Sequence, residues 1–377
     1  MNAHSFSFWE RQTWFDQVDF VVVGAGIVGL NAALELRRMH PTARILVLER
    51  GALPRGASTK NAGFSCFGSI SELSSDLSLY GPEAVVDLVQ RRYRGVALLR
   101  SLLGPKAMDY QRHGGHEVFL QRDQSMFEQC LTDLPVINEL LTPVFGSAPF
   151  RLQKNSFGFQ GVLPQYISSP FEGQIDTGAM MSSLLALVRK RGIEVLYGME
   201  VLGYEEAPFG VEVALADFSF TTGYLLIATN GFGQQLTPEE VLPARAQVLI
   251  TQPIPGLHIQ GVFHLDQGYY YFRNVGQRLL LGGGRNLDIA GETTTEFGLT
   301  DLIQDRLVHL LREVILPDQT FEIEQRWSGI MGMGPSKTPI VKHLSKRVFC
   351  GLRLGGMGVA IGSKVGQELA QLLNTND

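Results

Sequence analysis

Residues 19–50 read DFVVVGAGIVGLNAALELRRMHPTARILVLER, and this stretch decides the fold. The apolar run Asp19–Val23 predicts a buried strand, and apolar residues at helical spacing up to about Met39 predict a helix. A second apolar run, Arg44–Leu48, predicts another strand. A strand, a helix and a strand in this order form a βαβ unit, which predicts a parallel sheet.

The glycine turn of this unit, residues 24–29, has the spacing G-x-G-x-x-G. Gly24 allows a tight turn, Gly26 lets a pyrophosphate approach the helix N-terminus, and Gly29 lets the helix pack closely on the strand. Glu49 ends the second strand, where its carboxylate can accept a hydrogen bond from a ribose 2′-hydroxyl. A 2′-phosphate would be repelled there. The pattern therefore predicts binding of FAD or NAD rather than NADP, with a plain glycine turn as the alternative.

The composition excludes several classes of protein. The chain has 377 residues, of which 45% are hydrophobic and 18% charged, as is typical of a globular protein with two domains. A net charge of −5 provides no basic surface for nucleic acid or for a membrane. The three cysteines are far apart, and His113 and His116 have no further ligands beside them, so no metal site is expected. Without a signal peptide or a membrane span, a cytoplasmic protein is predicted.

The rest of the chain predicts two interleaved domains. The βα pattern of residues 19–50 returns in later segments that are separated by helical and strand-rich regions. We expect a discontinuous nucleotide-binding domain made of residues 1–75, 166–243 and 325–377. Residues 76–165 and 244–324 would form the second domain.

A loop rich in Gly and Ser follows Glu49 and Arg50 and contains RGASTKNAGFSCFG. An NAD enzyme would continue with regular βα units instead. Here the sequence resembles the D-amino-acid-oxidase-like superfamily of FAD-dependent oxidoreductases, which includes glycine oxidase, sarcosine oxidase and gamma-glutamylputrescine oxidase. The resemblance continues through SFWE, IDTGAMMSSLLALVRKRGIEVLYGMEV, ATNG, LPARAQVLITQPIP, YYYFRNVGQRLLLGG, WSGIMG and GGMG. It implies the class α/β (α+β), with a Rossmann-type FAD-binding domain interleaved with an antiparallel-sheet substrate domain.

The resemblance also implies a set of FAD-binding residues. The backbone of Ile27 and Val28 would face the diphosphate, and Val201 would hold the adenine. The full set is Gly24, Gly26, Ile27, Val28, Gly29, Glu49, Arg50, Ala57, Ser58, Asn61, Ala62, Gly63, Phe64, Val201, Thr229, Asn230, Gly231, Leu354, Gly355, Gly356, Met357, Gly358 and Val359. For Ser58 and Asn61, ordinary turn capping is the alternative. Gly329 stands where sarcosine oxidases carry the cysteine that tethers the flavin, so the FAD is predicted to be non-covalent.

Six glycines occur in CGLRLGGMGVAIGSKVGQELAQLL, residues 350–373. By resemblance, residues 354–359 of this segment would wrap the pyrimidine end of the flavin ring. The glycines at 355, 356 and 358 would let backbone N–H groups approach the ring. A helix predicted from about Ser363 to Leu373 would add the positive end of its dipole. The alternative is a glycine-rich turn followed by a packing helix.

The reaction implied by the resemblance is hydride transfer from a carbon that bears an amine to flavin N5. The resulting imine would be hydrolysed, and oxygen or another acceptor would reoxidise the flavin. The expected partners are thus a small-molecule amine or amino acid and an electron acceptor. Two alternatives stay open: a 2-hydroxy-acid dehydrogenase that uses a quinone or carrier, and a flavin-binding module without turnover. The substrate, the acceptor and the oligomeric state are not predicted.

Arg353, Arg273, Tyr271 and Tyr269 are the candidate catalytic residues, because arginine and tyrosine can hold a substrate carboxylate. Tyr269, Tyr271 and Arg273 alternate along a predicted strand and therefore share one face. The alternative is that Arg273 forms a structural ion pair and the tyrosines belong to the core. Arg353 stands where many relatives have glycine.

Two further departures from the family pattern concern reactivity. Leu280 lies near the strand position that gives sarcosine oxidases an oxygen-activating lysine, so oxidase activity stays open. Ser336 and Lys337 stand where an aspartate is common in relatives. Lys60 and Lys337 are candidate cations near the flavin.

Overall fold

The computed structural model describes residues 6–375, so residues 1–5 and 376–377 of the predicted nucleotide-binding domain lie outside the described part. Its strands are β1 Val18–Val23, β2 Ile45–Glu49, β3 Phe64–Ser65, β4 Gly115–Glu117, β5 Arg151–Lys154, β6 Gln165–Ser169, β7 Gly173–Gln174, β8 Glu194–Tyr197, β9 Gly203–Ala207, β10 Gly210–Ala214, β11 Ser219–Ile227, β12 Leu242–Thr251, β13 Val262–Leu265, β14 Tyr270–Val275, β15 Arg278–Gly283, β16 Ile323–Met333, β17 Ile340–His343 and β18 Val348–Leu352. The α-helices are α1 Phe8–Glu10, α2 Ile27–Met39, α3 Ile70–Tyr80, α4 Pro82–Leu103, α5 Gln124–Phe145, α6 Thr177–Lys190, α7 Asp301–Leu310 and α8 Gly358–Gln371. Short π-helical turns follow α1 and α7.

The first large sheet has the order β17-β18-β11-β1-β2-β8, and β10 and β9 extend it from β11. Strands β11, β1, β2 and β8 run parallel, with Val21 opposite Leu46 on one side and Leu225 on the other. The predicted βαβ unit is therefore confirmed, with each boundary within about one residue. These central strands are buried on both faces. Val22 and Val47 pack with residues of α2 and α8, whereas Val21 and Leu46 pack with residues of β10 on the other face.

The second large sheet has the order β16-β12-β15-β14-β13-β4-β6-β5. All of its pairings are antiparallel except the one between β13 and β4. The mixed α/β class with an antiparallel second sheet is thus confirmed. Its buried face packs on α7 through Leu249, Phe272, Leu281 and Leu307. The opposite face is turned toward the carboxyl ends of the parallel strands.

Two strands near the expected domain boundaries belong to the second sheet. Strand β6, near residue 166, and strand β16, near residue 325, both hydrogen-bond into it. The expected domain ranges stay a prediction.

Helices α2 and α8 pack against each other through glycines. A Cβ atom at Gly362 would lie 2.9 Å from Cγ2 of Ile27, and one at Gly366 would overlap the carbonyl oxygen of Val28. The terminal helix was expected from about Ser363, but it begins at Gly358. That expectation was wrong because glycine lowers helix propensity, and tertiary packing outweighs this cost here. The earlier start places the helix N-terminus inside the glycine cluster.

Candidate functional site

One cavity of about 630 Å³ lies between the two large sheets. Its walls include the carboxyl ends of β1 and β2 at Val23 and Glu49, and the face of β12 at Ala246 and Val248. Ligands of parallel α/β sheets bind at this edge, outside the carboxyl ends of the strands. The cavity therefore joins a nucleotide-binding position to the second sheet.

The nucleotide end of the cavity is built from backbone around the first glycine turn. Gly24 has a φ of +103°, and a Cβ atom there would lie 2.9 Å from the carbonyl oxygen of Ala228. The N–H of Ile27, the first residue of α2, donates to Oγ of Ser58 at 2.9 Å. Glu49 is buried, and its carboxylate accepts from the N–H groups of Ala25 (3.1 Å) and Gly51 (3.0 Å). Glu49 thus fixes the turn in addition to facing the cavity.

Twenty of the expected FAD-binding residues line this cavity: Gly24, Gly26, Ile27, Val28, Glu49, Arg50, Ala57, Ser58, Asn61, Ala62, Phe64, Val201, Thr229, Asn230, Leu354, Gly355, Gly356, Met357, Gly358 and Val359. Gly29, Gly63 and Gly231 do not. A Cβ atom at Gly29 would overlap the carbonyl oxygen of Gly24, and one at Gly231 would lie 2.6 Å from that of Met331. These three glycines permit close packing behind the wall.

The glycine cluster forms the other end of the same wall. Gly355 and Gly356 have φ of +57° and +80°, and a Cβ atom at Gly355 would meet nothing nearer than 4.0 Å. Gly358 and Val359 open α8, and N–H groups of a first helical turn have no acceptor within the helix. Asn230 joins this segment to the first sheet, since its Oδ1 accepts from the N–H of Leu354 at 3.2 Å.

The cavity fits a flavin dinucleotide. The N-termini of two long helices, α2 and α8, open onto it, and both favour negative charge. Within the described part of the chain, the buried Oγ1 of Thr229 has no hydrogen-bond partner although this residue lines the cavity. The open space above Gly355 would hold a flat ring against backbone. An orphaned hydroxyl, the starts of two helices and a side-chain-free wall together match a phosphate chain followed by an aromatic ring system.

In the same cavity as the glycine cluster, three rings form what we call the inner chamber: Phe64, His264 and Tyr271. The Phe64 ring makes edge contacts with His264 (5.4 Å between centroids) and Tyr271 (5.6 Å). His264 and Tyr271 lie directly opposite each other on β13 and β14. A Cβ atom at Gly282 would lie 2.6 Å from the Tyr271 ring, so the glycine lets that ring cross over β15.

His264 is the least expected member of the inner chamber. It is 9% exposed, and burial lowers its pKa to about 4, so its imidazole is neutral at pH 7. Its buried Nε2 has no hydrogen-bond partner among the described residues. Burial also raises the pKa of Tyr271 to about 12, which keeps the phenol protonated as a donor. The chamber therefore presents neutral hydrogen-bonding groups close to the flavin position.

A cluster of charges closes the chamber on its α3 side. Glu72 and Asp76 lie one turn apart on α3, and Nζ of Lys337 lies 2.8 Å from a carboxylate oxygen of each. Burial raises the pKa of Glu72, but Arg92 and Lys337 outweigh it and bring the pKa down to about 2. For Asp76, burial prevails and raises the pKa. Lys337, one of the candidate cations near the flavin, is thus already bound by two carboxylates.

Arg273 does not line the cavity. Its guanidinium donates to the carbonyl oxygens of Ala62, Ile175 (2.9 Å) and Asn274 (3.1 Å), and burial lowers its pKa to about 10. These bonds tie β14 to the loop that precedes Phe64. The geometry therefore differs from the expectation that Arg273 holds a substrate carboxylate. The alternation of residues along the strand correctly predicted which face Arg273 lies on, but it does not indicate how deeply the side chain is buried.

Arg353 is also turned away from the cavity. Its guanidinium binds Oγ of Ser336 (3.2 Å) and the carbonyl oxygens of Thr338 (3.2 Å) and Glu240 (3.4 Å). Its backbone has a φ of +62°, in the left-handed region that favours glycine. Only Tyr271 and Tyr269, of the four expected catalytic residues, line the cavity.

Leu280 and Gly329 are the two positions that the family resemblance connects with oxygen activation and with covalent attachment of the flavin. Leu280 is buried in a cluster with Ala62 and Val248, outside the cavity lining. Gly329 lines the cavity beside Lys60, whose Nζ lies 5.3 Å from the Phe297 ring centroid. Non-covalent binding of FAD stays a prediction.

Sequence reasoning missed His264, Glu72, Asp76 and Arg285, all of which line the cavity. A signal for His264 was present, because the strands VFHL and YYYF are separated by a short Asp-Gln-Gly turn. Such a hairpin fixes the register and places residue 264 opposite residue 271. For Glu72 and Asp76 the only signal was their spacing of four residues on a helix, which is also ordinary on an exposed helical face.

A nucleotide-binding parallel sheet that shares one cavity with the face of a second sheet defines a two-domain flavin-dependent oxidoreductase. The chain belongs to the DAO family, described as FAD dependent oxidoreductase, whose model matches residues 19–372. It is accordingly an enzyme that uses FAD.

Similar proteins agree with this family. The chain is 19% identical to the probable oxidoreductase OrdL of Haemophilus influenzae, over 97% of this chain and 85% of that protein. Among solved structures it is similar to glycine oxidase from Geobacillus kaustophilus, with a TM-score of 0.77, 17% identity and 95% coverage of both chains. The L-proline dehydrogenase from P. horikoshii gives a TM-score of 0.75 at 16% identity, over 96% of this chain and 94% of that one. These identities show a shared fold.

Two negative findings complete the site. Between residues 6 and 375, no helix combines the length and the apolar character that a membrane crossing requires. In the same part of the chain, no three His, Cys, Asp or Glu side chains are grouped so that they could hold a metal ion.

Proposed function

We propose that the protein oxidises an amine or amino acid at its C–N bond, with FAD as the hydride acceptor. The observation that carries the proposal is the inner chamber, where His264 lines the same cavity as the glycine cluster and its buried Nε2 has no hydrogen-bond partner among the described residues. An amine has N–H groups to donate, and a buried unpaired acceptor is costly unless a ligand satisfies it.

The cations around the chamber also favour a substrate whose carboxylate, if it has one, is not on the reacting carbon. A 2-hydroxy acid, like a 2-amino acid, has its carboxylate on that carbon, so it needs a cation inside the chamber. Lys337 is held by Glu72 and Asp76, and Arg273 is held by three backbone carbonyl oxygens. Neither is available for a carboxylate at that depth without breaking these bonds.

When bound, FAD would accept a hydride at N5 from the carbon beside the amine, leaving an imine that water converts to a carbonyl compound and ammonia or a smaller amine. The two electrons then pass to oxygen or another acceptor. Gly24, Gly26 and Glu49 would hold the nucleotide, and residues 355–359 would lie along the pyrimidine end. His264 would accept a hydrogen bond from the substrate N–H and orient its lone pair. Phe64 and Tyr271 would exclude water from the reacting carbon.

The test is anaerobic reduction of the FAD-bound protein by three panels of compounds: amines, amino acids and 2-hydroxy acids. We expect the visible flavin absorbance to disappear with amines or amino acids and to return when air or an artificial acceptor is admitted. Reduction by hydroxy acids alone would overturn the proposal, and reduction by none of the panels would favour a binding module.

A pair of histidine variants tests whether His264 takes part in the reaction. His264→Phe should slow flavin reduction by about 10- to 100-fold, the loss expected for one hydrogen bond to the reacting group. The control is His258→Phe, because His258 is exposed and bonds only the Phe157 carbonyl oxygen (3.0 Å) outside the cavity. Equal rates in both variants, at equal FAD content, would remove His264 from the reaction.

A further inference from the structure

The cations that line the cavity differ in whether they already have partners. Arg50 lies over the Phe232 ring (4.0 Å) and Arg55 over the Phe297 ring (5.4 Å), which Lys60 also approaches. Lys337 is bound by two carboxylates. For the guanidinium of Arg285, the structure between residues 6 and 374 shows no hydrogen bond, ion pair or ring contact, although this half-buried residue lines the same cavity. An unpaired cation on a concave wall is a candidate anion site.

Arg285 belongs to the rim of the cavity, which we define as Gln267, Gly268, Tyr269 and Arg285. Strand β15 ends at Gly283, and the N–H of Gly284 donates to the carbonyl oxygen of Tyr269 at 2.9 Å. Gly284 has a φ of +83° and turns the chain, so Arg285 follows beside Tyr269. Tyr269 is 37% exposed, so the rim is the solvent end of the cavity.

The rim lies beyond the end of β15, past the level of the inner chamber. Tyr271 pairs with Gly282, and Arg285 comes three residues after Gly282, beyond the end of β15 at Gly283 and the turn at Gly284. Because three residues of extended chain span at most about 10 Å, the backbone of Arg285 is no more than roughly 10 Å from Gly282, which is level with Tyr271. An anion held at the rim and an amine held at the inner chamber would be separated by several bonds.

We propose that Arg285 binds an acid group at the far end of the substrate, so that the preferred substrate is an amine with a carboxylate several bonds from the oxidised carbon. The inference rests on the proposed function and deepens it by naming the substrate class. Arg285 offers two parallel N–H donors to a carboxylate, and the hydroxyl of Tyr269 is the neighbouring polar group of the rim. Asp266, at the tip of the same hairpin, is already bonded by Asn286 (3.3 Å).

The experiment compares straight-chain amines with and without a terminal carboxylate in anaerobic flavin reduction. The acid series is glycine, 3-aminopropanoate, 4-aminobutanoate and 6-aminohexanoate, and each has the alkylamine of the same carbon count as its partner. We expect the ratio of acid to alkylamine rates, at low substrate concentration, to rise by about 10-fold or more from glycine to the longer acids.

Arg285→Gln should lower this ratio for the longer acids by about 10- to 100-fold, and Arg285→Lys should restore part of it. The control is Arg306→Gln, because Arg306 is equally half-buried and lies near the Tyr270 ring (5.8 Å) but not on the cavity. A second readout needs no turnover: pentanoate should perturb the flavin spectrum of the wild type, and Arg285→Gln should weaken that binding by the same factor.

The outcomes separate the two proposals. If amines reduce the flavin but the Arg285→Gln and Arg306→Gln proteins show the same ratio, the rim inference is wrong and the proposed function stands. If glycine-type acids exceed all longer ones in both proteins, the acid group lies inside the chamber and the inference is also wrong. If no amine in either series reduces the flavin, the proposed function itself fails. Equal FAD content in all variants shows that they are folded.

Discussion

The two walls of the cavity are built in different ways. The wall around Gly24 and Gly355 consists largely of backbone, and its polar groups are N–H donors at the starts of α2 and α8. The wall on the second sheet consists of side chains, including His264, Tyr271 and Arg285. Backbone recognition requires an absence of side chains, whereas side-chain recognition requires particular partners. The first wall therefore suits a constant ligand, and the second can differ from one family member to another.

This difference also explains how far prediction from sequence succeeded. The βαβ unit, Glu49 and the glycine cluster are local patterns, and a glycine at a strand-to-helix turn has few other reasons to occur. The second wall is assembled from residues far apart in the chain. Arg273 and Arg285 are twelve positions apart on one hairpin, yet one binds backbone carbonyls and the other lacks a partner in the described chain. Which groups each arginine binds depends on three-dimensional packing, and no sequence pattern predicted that packing.

The largest expected effect comes from a substitution in the glycine turn of the backbone wall. In Gly29→Ala the added methyl would overlap the Gly24 carbonyl oxygen, so α2 must move away from the turn. We expect the free energy of unfolding to fall by about 2–3 kcal/mol, as for other overpacked sites. The ratio of flavin to protein absorbance in the purified protein should fall by more than tenfold. Urea unfolding and the visible spectrum measure the two effects.

The control for this prediction is Gly203→Ala. Gly203 has no positive φ, and a Cβ atom there would meet no atom within 4 Å. Its unfolding free energy should stay within about 0.5 kcal/mol of the wild type, as for most neutral surface changes. If Gly29→Ala behaved like Gly203→Ala, close packing at the turn would not be what holds the nucleotide end together.

The second-largest expected effect is a change of stability with pH that comes from a buried side chain. Glu172 is buried and accepts from the N–H of Phe67 at 2.8 Å, and burial raises its pKa to about 8 from 4.5. Between these values the folded protein binds more protons than the unfolded chain, so stability falls as pH rises. His116 and His264, whose pKa is lowered from 6.5 to about 4 in the folded protein, oppose this fall, and their contribution fades as the pH rises above 7. Between pH 7 and 8, Glu172 alone should lower the unfolding free energy by up to about 1.4 kcal/mol per pH unit.

Glu172→Gln should remove this slope, because the amide keeps an acceptor for Phe67 and does not ionise. The variant should match the wild type at pH 4 or below, where the carboxyl is protonated in both states, and exceed its stability at pH 8. Glu117→Gln should remove a smaller part, since the pKa of Glu117 is raised only to about 7. Glu194→Gln, at an exposed position, is the control. Parallel stability curves for the wild type and Glu172→Gln, from urea unfolding at each pH, would show that Glu172 is ionised in the folded state.

The smallest effect concerns Arg353, the charged residue inside the glycine cluster. Its side chain binds Ser336 and Thr338 outside the cavity, at 3.2 Å in both cases, and its φ of +62° costs a non-glycine residue about 1 kcal/mol. Arg353→Gly loses these half-exposed bonds but also loses the strain, so the unfolding free energy should change by less than about 1 kcal/mol. Arg353→Leu keeps the strain and loses the bonds, so it should be the less stable variant. FAD content and the rate of anaerobic flavin reduction should match the wild type in both. A tenfold slower reduction in both variants would mean that the guanidinium reaches the substrate. The backbone wall would then contain a side chain that takes part in recognition.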